Sequence, residues 1–123
     1  MLAFKLHSFT ATKPVRSSAN DVGYKLSASE CKTVPARSRC FVETDVSFSF
    51  PVGYFGLIVP IEELVSNYWI DVSSAVVKNG MEAIQVMLIN NSDLDFKIDI
   101  GDKIAFMSIN KYFEHYLLIE NKD

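Results

Sequence analysis

The sequence is poor in the residues that build metal centres and disulfide frameworks. Its 123 residues include two histidines and two cysteines, and Cys31 and Cys40 form no C-x-x-C motif. His7 and His115 lie near opposite ends of the chain, with no third ligand at metal-binding spacing. We therefore expect no metal site and two reduced thiols, as in an intracellular protein, while a bridge between the two cysteines stays open as an alternative.

Basic clusters and long apolar runs are also absent. The 12 Lys and Arg residues are outnumbered by 15 Asp and Glu residues, which gives a formal net charge of -3. We expect no nucleic-acid partner, since proteins that bind nucleic acids carry a basic patch on their surface. No run approaches the ~20 apolar residues of a membrane span, so we expect no membrane partner. The opening "MLAFKLHSF" is too short and too polar for the apolar core of a signal peptide.

The common enzyme motifs are missing as well. The sequence contains no G-x-S-x-G, no P-loop and no G-x-G-x-x-G. Glu62 and Glu63 are adjacent, so on a helix they diverge by about 100° and cannot face each other as a catalytic carboxylate pair. A favourable negative charge at a helix start is the better interpretation of these two residues.

The apolar residues that are present repeat with a period of two, which is typical of strands. Strands are predicted over "RCFVETDVSFSFP", "GYFGLIVP", "AIQVMLIN", "KIAFMSIN" and, last, "YFEHYLLIE". The turn signal Lys78-Asn79-Gly80 lies between two apolar runs and predicts a β-hairpin over residues 76–93, with Lys78 at its shoulder. The acids that follow Pro60 predict one short helix over residues 61–68. The pattern as a whole predicts a single all-β domain over residues 1–123, a jelly roll or β-barrel.

The segments, taken in order, resemble the trimeric dUTPase family over residues 13–110. The landmarks shared with the family are Val34-Pro35, Thr44-Asp45-Val46, Pro51-x-Gly53-Tyr54-x-Gly56 with Pro60, Ile70-Asp71-Val72, Asn90-x-Ser92-Asp93 and Gly101-Asp102-Lys103-Ile104-Ala105. The resemblance implies a dUTPase-like jelly-roll β-barrel with one short helix. It also implies a homotrimer in which each active site borrows motifs from neighbouring chains, while a monomer that folds its last strand onto its own sheet stays open as an alternative.

The resemblance ends at the positions where the family carries its site residues. Lys25 stands in the place of an aspartate that helps to hold magnesium on the triphosphate. Ile61, Glu62 and Glu63 stand in the place of an Arg-Ser-Gly turn that meets phosphate oxygens, which two carboxylates would repel. Phe106 stands where the family has glutamine.

Lys78 stands in the place of the aspartate that activates the attacking water. An ammonium with an ordinary pKa of about 10.4 has no lone pair for a proton at neutral pH. The family's glycine-rich C-terminal arm is replaced by residues 112–123, where we predict a strand or tail.

These differences predict a dUTPase fold without dUTPase activity, with no catalytic residues and no cofactor. The first hypothesis is a regulatory protein of viral source that binds a host protein in the cytoplasm or nucleus. The alternative is a protein that binds or sequesters a nucleotide without hydrolysis, in which Lys25 and Lys78 supply positive charge. Glu62 and Glu63 in the same pocket speak against that alternative.

Overall fold

The structure, a computed structural model, describes residues 1–16, 23–113 and 117–121. These residues form eleven strands and one helix. In chain order the elements are β1 (Ala3–Leu6), β2 (Gly23–Ser27), β3 (Lys32–Val34), β4 (Arg39–Glu43), β5 (Val46–Ser49), β6 (Tyr54–Val59), α1 (Glu62–Tyr68), β7 (Ile70–Val72), β8 (Ala75–Val77), β9 (Gln85–Asn90), β10 (Phe96–Ile98) and β11 (Lys103–Lys111).

The strands form four small antiparallel sheets. The largest has the order β2-β11-β6-β8, and a second has the order β4-β9-β7. Two further sheets are the pairs β1-β5 and β3-β10. The predicted all-β jelly roll with one short helix is therefore confirmed.

The core consists of the inward-facing side chains of these sheets. Leu26, Ile58 and Met107 come from the largest sheet and are at most 1% exposed. Leu88 and Ile70 come from the sheet of β4, β9 and β7 and are equally buried. The period of two in the sequence thus marks the buried face of β5, β6 and β9, as expected for sheets with one face on a core.

The predicted strand "RCFVETDVSFSFP" is two strands that belong to different sheets. β4 pairs with β9, whereas β5 pairs with β1. Between them the buried Thr44 donates its hydroxyl to the Ile84 carbonyl at 2.8 Å, and Asp45 adopts a φ of 54°. This local turn breaks the strand without interrupting the alternation of apolar residues.

The predicted hairpin over residues 76–93 is wrong, because its two strands do not pair with each other. β8 pairs with β6, and β9 pairs with β4 and β7. The Lys-Asn-Gly turn does form, with Gly80 at a φ of 84°. It connects two sheets, and the Asn79 side chain anchors it by accepting from the Phe50 nitrogen at 2.6 Å and donating to the Phe50 carbonyl at 3.0 Å.

The short helix is confirmed and the last strand is not. α1 carries Glu62 and Glu63 in its first turn and ends at Trp69, whose φ of 59° is left-handed. β11 ends at Lys111, and the described residues beyond it, 112–113 and 117–121, form no strand. The rest of the predicted C-terminal strand, residues 114–116, lies outside the described residues. Over the ranges that the structure describes, no helix is long and apolar enough to cross a membrane.

Candidate functional site

Five of the six positions at which the family resemblance ends come together in one cleft, which we call the motif cleft. Its lining residues are Lys25, Pro60, Ile61, Glu62, Glu63, Ser66 and Phe106, and its volume is about 320 Å³. The sheet brings them together, because Phe106 on β11 lies opposite Lys25 on one side and Val59 on the other. The chain then turns at Pro60 directly into α1.

The motif cleft has an apolar floor and a mixed charged rim. Ile61 and Phe106 are partly buried, whereas Glu62 and Glu63 are exposed. Lys25 is held in place by its backbone, which exchanges two hydrogen bonds with Val15 at 2.8 and 3.3 Å. The cleft therefore offers one ammonium group and two carboxylates to a ligand.

The sixth position, Lys78, lies in a different cleft, which we call the β8 cleft. Its lining residues are Tyr54, Phe55, Val76, Lys78, Asn79 and Tyr112. β2 and β8 form opposite edges of the largest sheet, so Lys25 and Lys78 are separated by three strand spacings, about 14 Å across the sheet. Within one chain the structure does not bring Lys78 to the motif cleft.

The residues of the motif cleft do not match a protein-held magnesium ion. Magnesium selects carboxylate and other oxygen ligands, and an ammonium group such as that of Lys25 repels it. In the part of the chain that the structure describes, no group of three or more His, Cys, Asp or Glu side chains could hold a metal ion. His7 contacts the Ser47 hydroxyl at 2.7 Å, and His115 lies outside the described residues. Cys31 and Cys40 are free thiols.

Sequence reasoning missed a larger cavity of about 950 Å³, which we call the aromatic groove. Its apolar lining residues are Leu64, Tyr68, Trp69, Leu94 and Phe96, and its charged rim includes Arg37, Asp93, Asp95, Lys97, Asp102 and Lys103. The Tyr68 and Phe96 rings lie 5.6 Å apart. The groove depends on the position of β10 beside β3, which the short segment 96–98 gave no signal to predict.

One ion pair marks the rim of the aromatic groove. The Arg37 Nε atom donates to the Asp93 Oδ1 atom at 2.8 Å. This hydrogen bond, and then the positive charge of Arg37, lower the pKa of Asp93, and the same contact raises the pKa of Arg37. Both side chains are well exposed, so the pair orients the rim more than it stabilises the fold.

The comparison with protein families gives a clear assignment. The dUTPase family profile matches residues 10–122. With that match over most of its length, the chain belongs to the dUTPase family.

Individual relatives agree with this assignment. The chain is 38% identical over 112 residues to a deoxyuridine 5'-triphosphate nucleotidohydrolase of avian adenovirus 8, a match that covers 90% of this chain and 69% of the relative. It is 37% identical over 112 residues to the enzyme of the same name from Saccharomyces cerevisiae, covering 90% of this chain and 76% of the relative.

Solved structures of two phage proteins share the fold. A mutant dUTPase from phage phi11 of S. aureus superimposes with a TM-score of 0.91 at 20% identity, covering 100% of this chain and 98% of that chain. A mutant dUTPase of Staphylococcus bacteriophage 80alpha gives a TM-score of 0.90 at 20% identity, covering 100% and 97%. At this identity the likeness shows the fold.

The prediction of an inactive, regulatory protein is contradicted by the relatives. Proteins 31–38% identical to the chain over most of its length are named nucleotidohydrolases, which are enzymes. The same finding contradicts the alternative of nucleotide sequestration without hydrolysis, and it leaves the predicted host-protein partner without support. The prediction relied on single side chains, whereas the similarity extends over 90% of the chain.

Proposed function

We propose that this protein is a deoxyuridine 5'-triphosphate nucleotidohydrolase that works as a homotrimer. The observation that carries the proposal is 37–38% identity across 90% of the chain to two relatives of that name, one viral and one fungal. A fold by itself does not define an activity, so the phage structures add no weight to the reaction. The avian adenovirus relative also supports the predicted viral source, and the location inside a host cell stays a prediction.

The motif cleft offers two kinds of group to a nucleoside triphosphate. The Lys25 ammonium attracts the phosphates and offsets charge that develops on them. The carboxylates of Glu62 and Glu63 can accept a proton from water. In the proposed step a water oxygen bonds to phosphorus, the bond to the departing pyrophosphate breaks, and the proton passes to one of these carboxylates.

The homotrimer is proposed because Lys25 and Lys78 lie at opposite edges of the sheet within one chain. A site that uses both Lys25 and Lys78 needs the motif cleft of one copy and the β8 cleft of another, since β2 and β8 lie at opposite edges of the sheet. Val76 and Tyr112 in the β8 cleft are 53% and 47% exposed, and exposed apolar groups are typical of interaction surfaces. A patch that meets a different patch on its neighbour forms a ring when the rotation between copies closes, and a rotation that closes at three copies gives the trimer that the family resemblance implies.

The test is a pyrophosphate-release assay with dUTP in the presence of magnesium. The wild-type chain should turn over dUTP well above buffer, and Glu62→Gln combined with Glu63→Gln should lower the rate about a hundredfold, the usual contribution of a general base. Glu82→Gln is the matched control, because Glu82 is an exposed acid outside the motif cleft. Absence of turnover in the folded wild-type chain would overturn the proposal.

A further inference from the structure

The aromatic groove is a second concave surface that the proposed hydrolytic site does not use. It shares no lining residue with the motif cleft, although both lie against α1. Tyr68, Trp69 and Leu94 are 55%, 63% and 77% exposed, so the apolar lining of the groove is open to solvent. Exposed apolar surface with a polar rim is typical of ligand-binding grooves. The groove therefore has the character of a binding surface.

Trp69 has a backbone conformation that few side chains adopt. Its φ of 59° is left-handed, a region in which glycine commonly ends a helix. Two hydrogen bonds hold the backbone there, one from its own nitrogen to the Val65 carbonyl at 3.2 Å and one from the Asn91 nitrogen to its carbonyl at 3.0 Å. The chain thus carries a large, exposed indole where glycine would be unstrained, and strain of this kind concentrates at binding sites.

The charges on the rim of the groove balance. The lining contains three cationic side chains and three carboxylates, namely Arg37, Lys97 and Lys103 with Asp93, Asp95 and Asp102. A polyanion would be repelled by the carboxylates, and a polycation would be repelled by the cations. The ligand that matches this rim is neutral.

Several donors in the groove have no hydrogen-bond partner among the described residues. They are the ammonium of Lys97, the side-chain amides of Asn67 and Asn91, and the indole nitrogen of Trp69. A ligand that displaces water from these donors must supply acceptors for them. Each of the three carboxylates, by contrast, already accepts a hydrogen bond within the chain. The groove therefore matches a neutral ligand that carries acceptors on an apolar body.

A proline-rich segment in the polyproline II conformation has these properties. Its rings are apolar and pack on exposed aromatic side chains, and its backbone carbonyls are not used internally. Proline has no N–H group, so the ligand brings no backbone donor that needs a partner. An α-helix satisfies its own backbone and would leave the donors of the groove unpaired, whereas a sugar would bring many hydroxyl donors. The segment is also extended before it binds, which reduces the entropy lost on binding.

We propose that the aromatic groove binds a proline-rich segment of a partner protein. Proline rings lie on Tyr68 and Trp69, beside Leu94. Carbonyls of the segment accept from the Trp69 indole and from the amides of Asn67 and Asn91. The four prolines of this sequence stand singly, so the segment belongs to a partner. This surface is an addition to the proposed enzyme, and it depends on neither hydrolysis nor self-association.

The single tryptophan of the chain gives one indole N–H signal in a proton–nitrogen NMR spectrum, and that signal reports on the groove itself. We titrate the folded chain with a blocked decaproline peptide and measure the dissociation constant by calorimetry. Binding should be saturable and should shift the indole signal. A Gly-Ser peptide of the same length should neither bind nor shift the signal.

Trp69→Gly is the sharpest variant, because it removes the indole at a position whose left-handed backbone favours glycine. Its affinity for decaproline should fall at least about tenfold, as expected for the loss of an aromatic anchor. Tyr68→Ala should weaken binding as well, and it retains the indole signal. Phe9→Ala is the matched control, since it removes a fully exposed aromatic ring outside the groove, and it should bind as wild type does. Far-UV circular dichroism verifies that the variants are folded.

The outcomes separate this inference from the proposed function. Absence of saturable binding at millimolar decaproline would overturn the inference, and so would binding that Trp69→Gly leaves unchanged. Tighter binding of maltoheptaose or of hexa-arginine than of decaproline would overturn the assignment of the ligand. Decaproline binding without dUTP turnover would overturn only the proposed function, whereas turnover without decaproline binding would overturn only this inference.

Discussion

Asn90 shows how one buried side chain fixes a surface loop. It is 1% exposed, and its amide donates to the carbonyls of Val34 at 3.1 Å and Leu94 at 2.8 Å. Its oxygen accepts from the nitrogen and the hydroxyl of Ser92 at 3.0 and 2.7 Å. One residue thus ties the end of β9 to β3 and to the loop that forms the rim of the aromatic groove.

The substitution Asn90→Ala should lower the free energy of unfolding by about 3 kcal/mol, because it leaves buried groups without hydrogen-bond partners. Urea unfolding measures the change. Asn91→Ala is the matched control, since the Asn91 side chain is exposed, and it should cost less than about 0.5 kcal/mol. Equal losses in the two variants would show that the hydrogen bonds of Asn90 are not what holds the loop.

Arg37 and Asp93 allow a test of electrostatics at a single contact. The hydrogen bond from Arg37, followed by its charge, lowers the pKa of Asp93 below its ordinary value of 3.8. A carboxyl whose pKa is lowered in the folded state adds stability above its unfolded pKa and loses it as pH falls through the folded pKa. The contribution to stability is small because both side chains are exposed.

The titration itself is the better measurement. In Arg37→Gln, the NMR titration midpoint of the Asp93 carboxyl carbon should rise towards the ordinary value, since the donor's charge is gone. Lys97→Gln, which removes a charge from the same rim without touching the ion pair, should move the midpoint much less. A midpoint that is unchanged in Arg37→Gln would rule out the ion pair as the cause of the lowered pKa.

At the scale of elements, the close contact between β2 and β11 depends on Gly23, which has no side chain. A Cβ atom at Gly23 would lie 1.9 Å from the Met107 carbonyl oxygen, which belongs to the backbone of the neighbouring strand. A Cβ atom at Gly56 would meet the Met107 sulfur at 2.6 Å, at the flexible end of a side chain. A Cβ atom at Gly23 would thus clash with the backbone, whereas a Cβ atom at Gly56 would clash with a side chain that can move.

Gly23→Ala should therefore destabilise the fold by about 4 kcal/mol or more, because the two strands must separate. Gly56→Ala should cost about 1 to 2 kcal/mol, since the Met107 side chain can move aside. Thermal unfolding of both variants compares them directly. If Gly56→Ala proves the more damaging, the close approach of β2 and β11 is not the constraint that we infer.

The elements also show what a sequence can and cannot predict. β6, β9 and β11 were predicted from their apolar residues, because each buries side chains along its own length, whereas α1 was predicted from the acids that follow Pro60. The pairing of β8 with β6 was missed, since a turn signal at Lys78-Asn79-Gly80 says nothing about which strand comes alongside. The three-residue strands β3, β7 and β10 were missed too, because so short a segment carries no period.

The candidate site, like the fold, was predicted only in part. The order of motifs identified the residues of the motif cleft, because the fold brings those segments together around Phe106. The aromatic groove was not predictable, since it needs β10 beside β3 and an outward turn at Trp69. The prediction of inactivity, which rested on substitutions at single positions, is contradicted by the nucleotidohydrolase names of relatives that match 90% of the chain.

On the scale of the whole molecule, the two lysines test whether a site crosses between subunits. In the proposed trimer, the motif cleft of one copy receives Lys78 from its neighbour. Trimers of Lys25→Ala alone and of Lys78→Ala alone should both lose dUTP turnover, because every site lacks one ammonium. Trimers that are refolded from an equal mixture of the two variants should recover about one quarter of the wild-type rate, the fraction of sites that draw both intact residues from different copies.

The mixing experiment has a matched control. Mixing restores turnover only if one copy supplies Lys25 and another copy supplies Lys78. Lys25→Ala refolded with the double variant Lys25→Ala, Lys78→Ala contains no intact motif cleft and should remain inactive. Light scattering on the same samples should give a mass three times that of the 13.8 kDa chain, and a mass near 13.8 kDa would exclude the trimer. A trimeric mixture of the two single variants without recovered turnover would place both lysines outside a shared site, since the fold keeps them at opposite edges of one sheet.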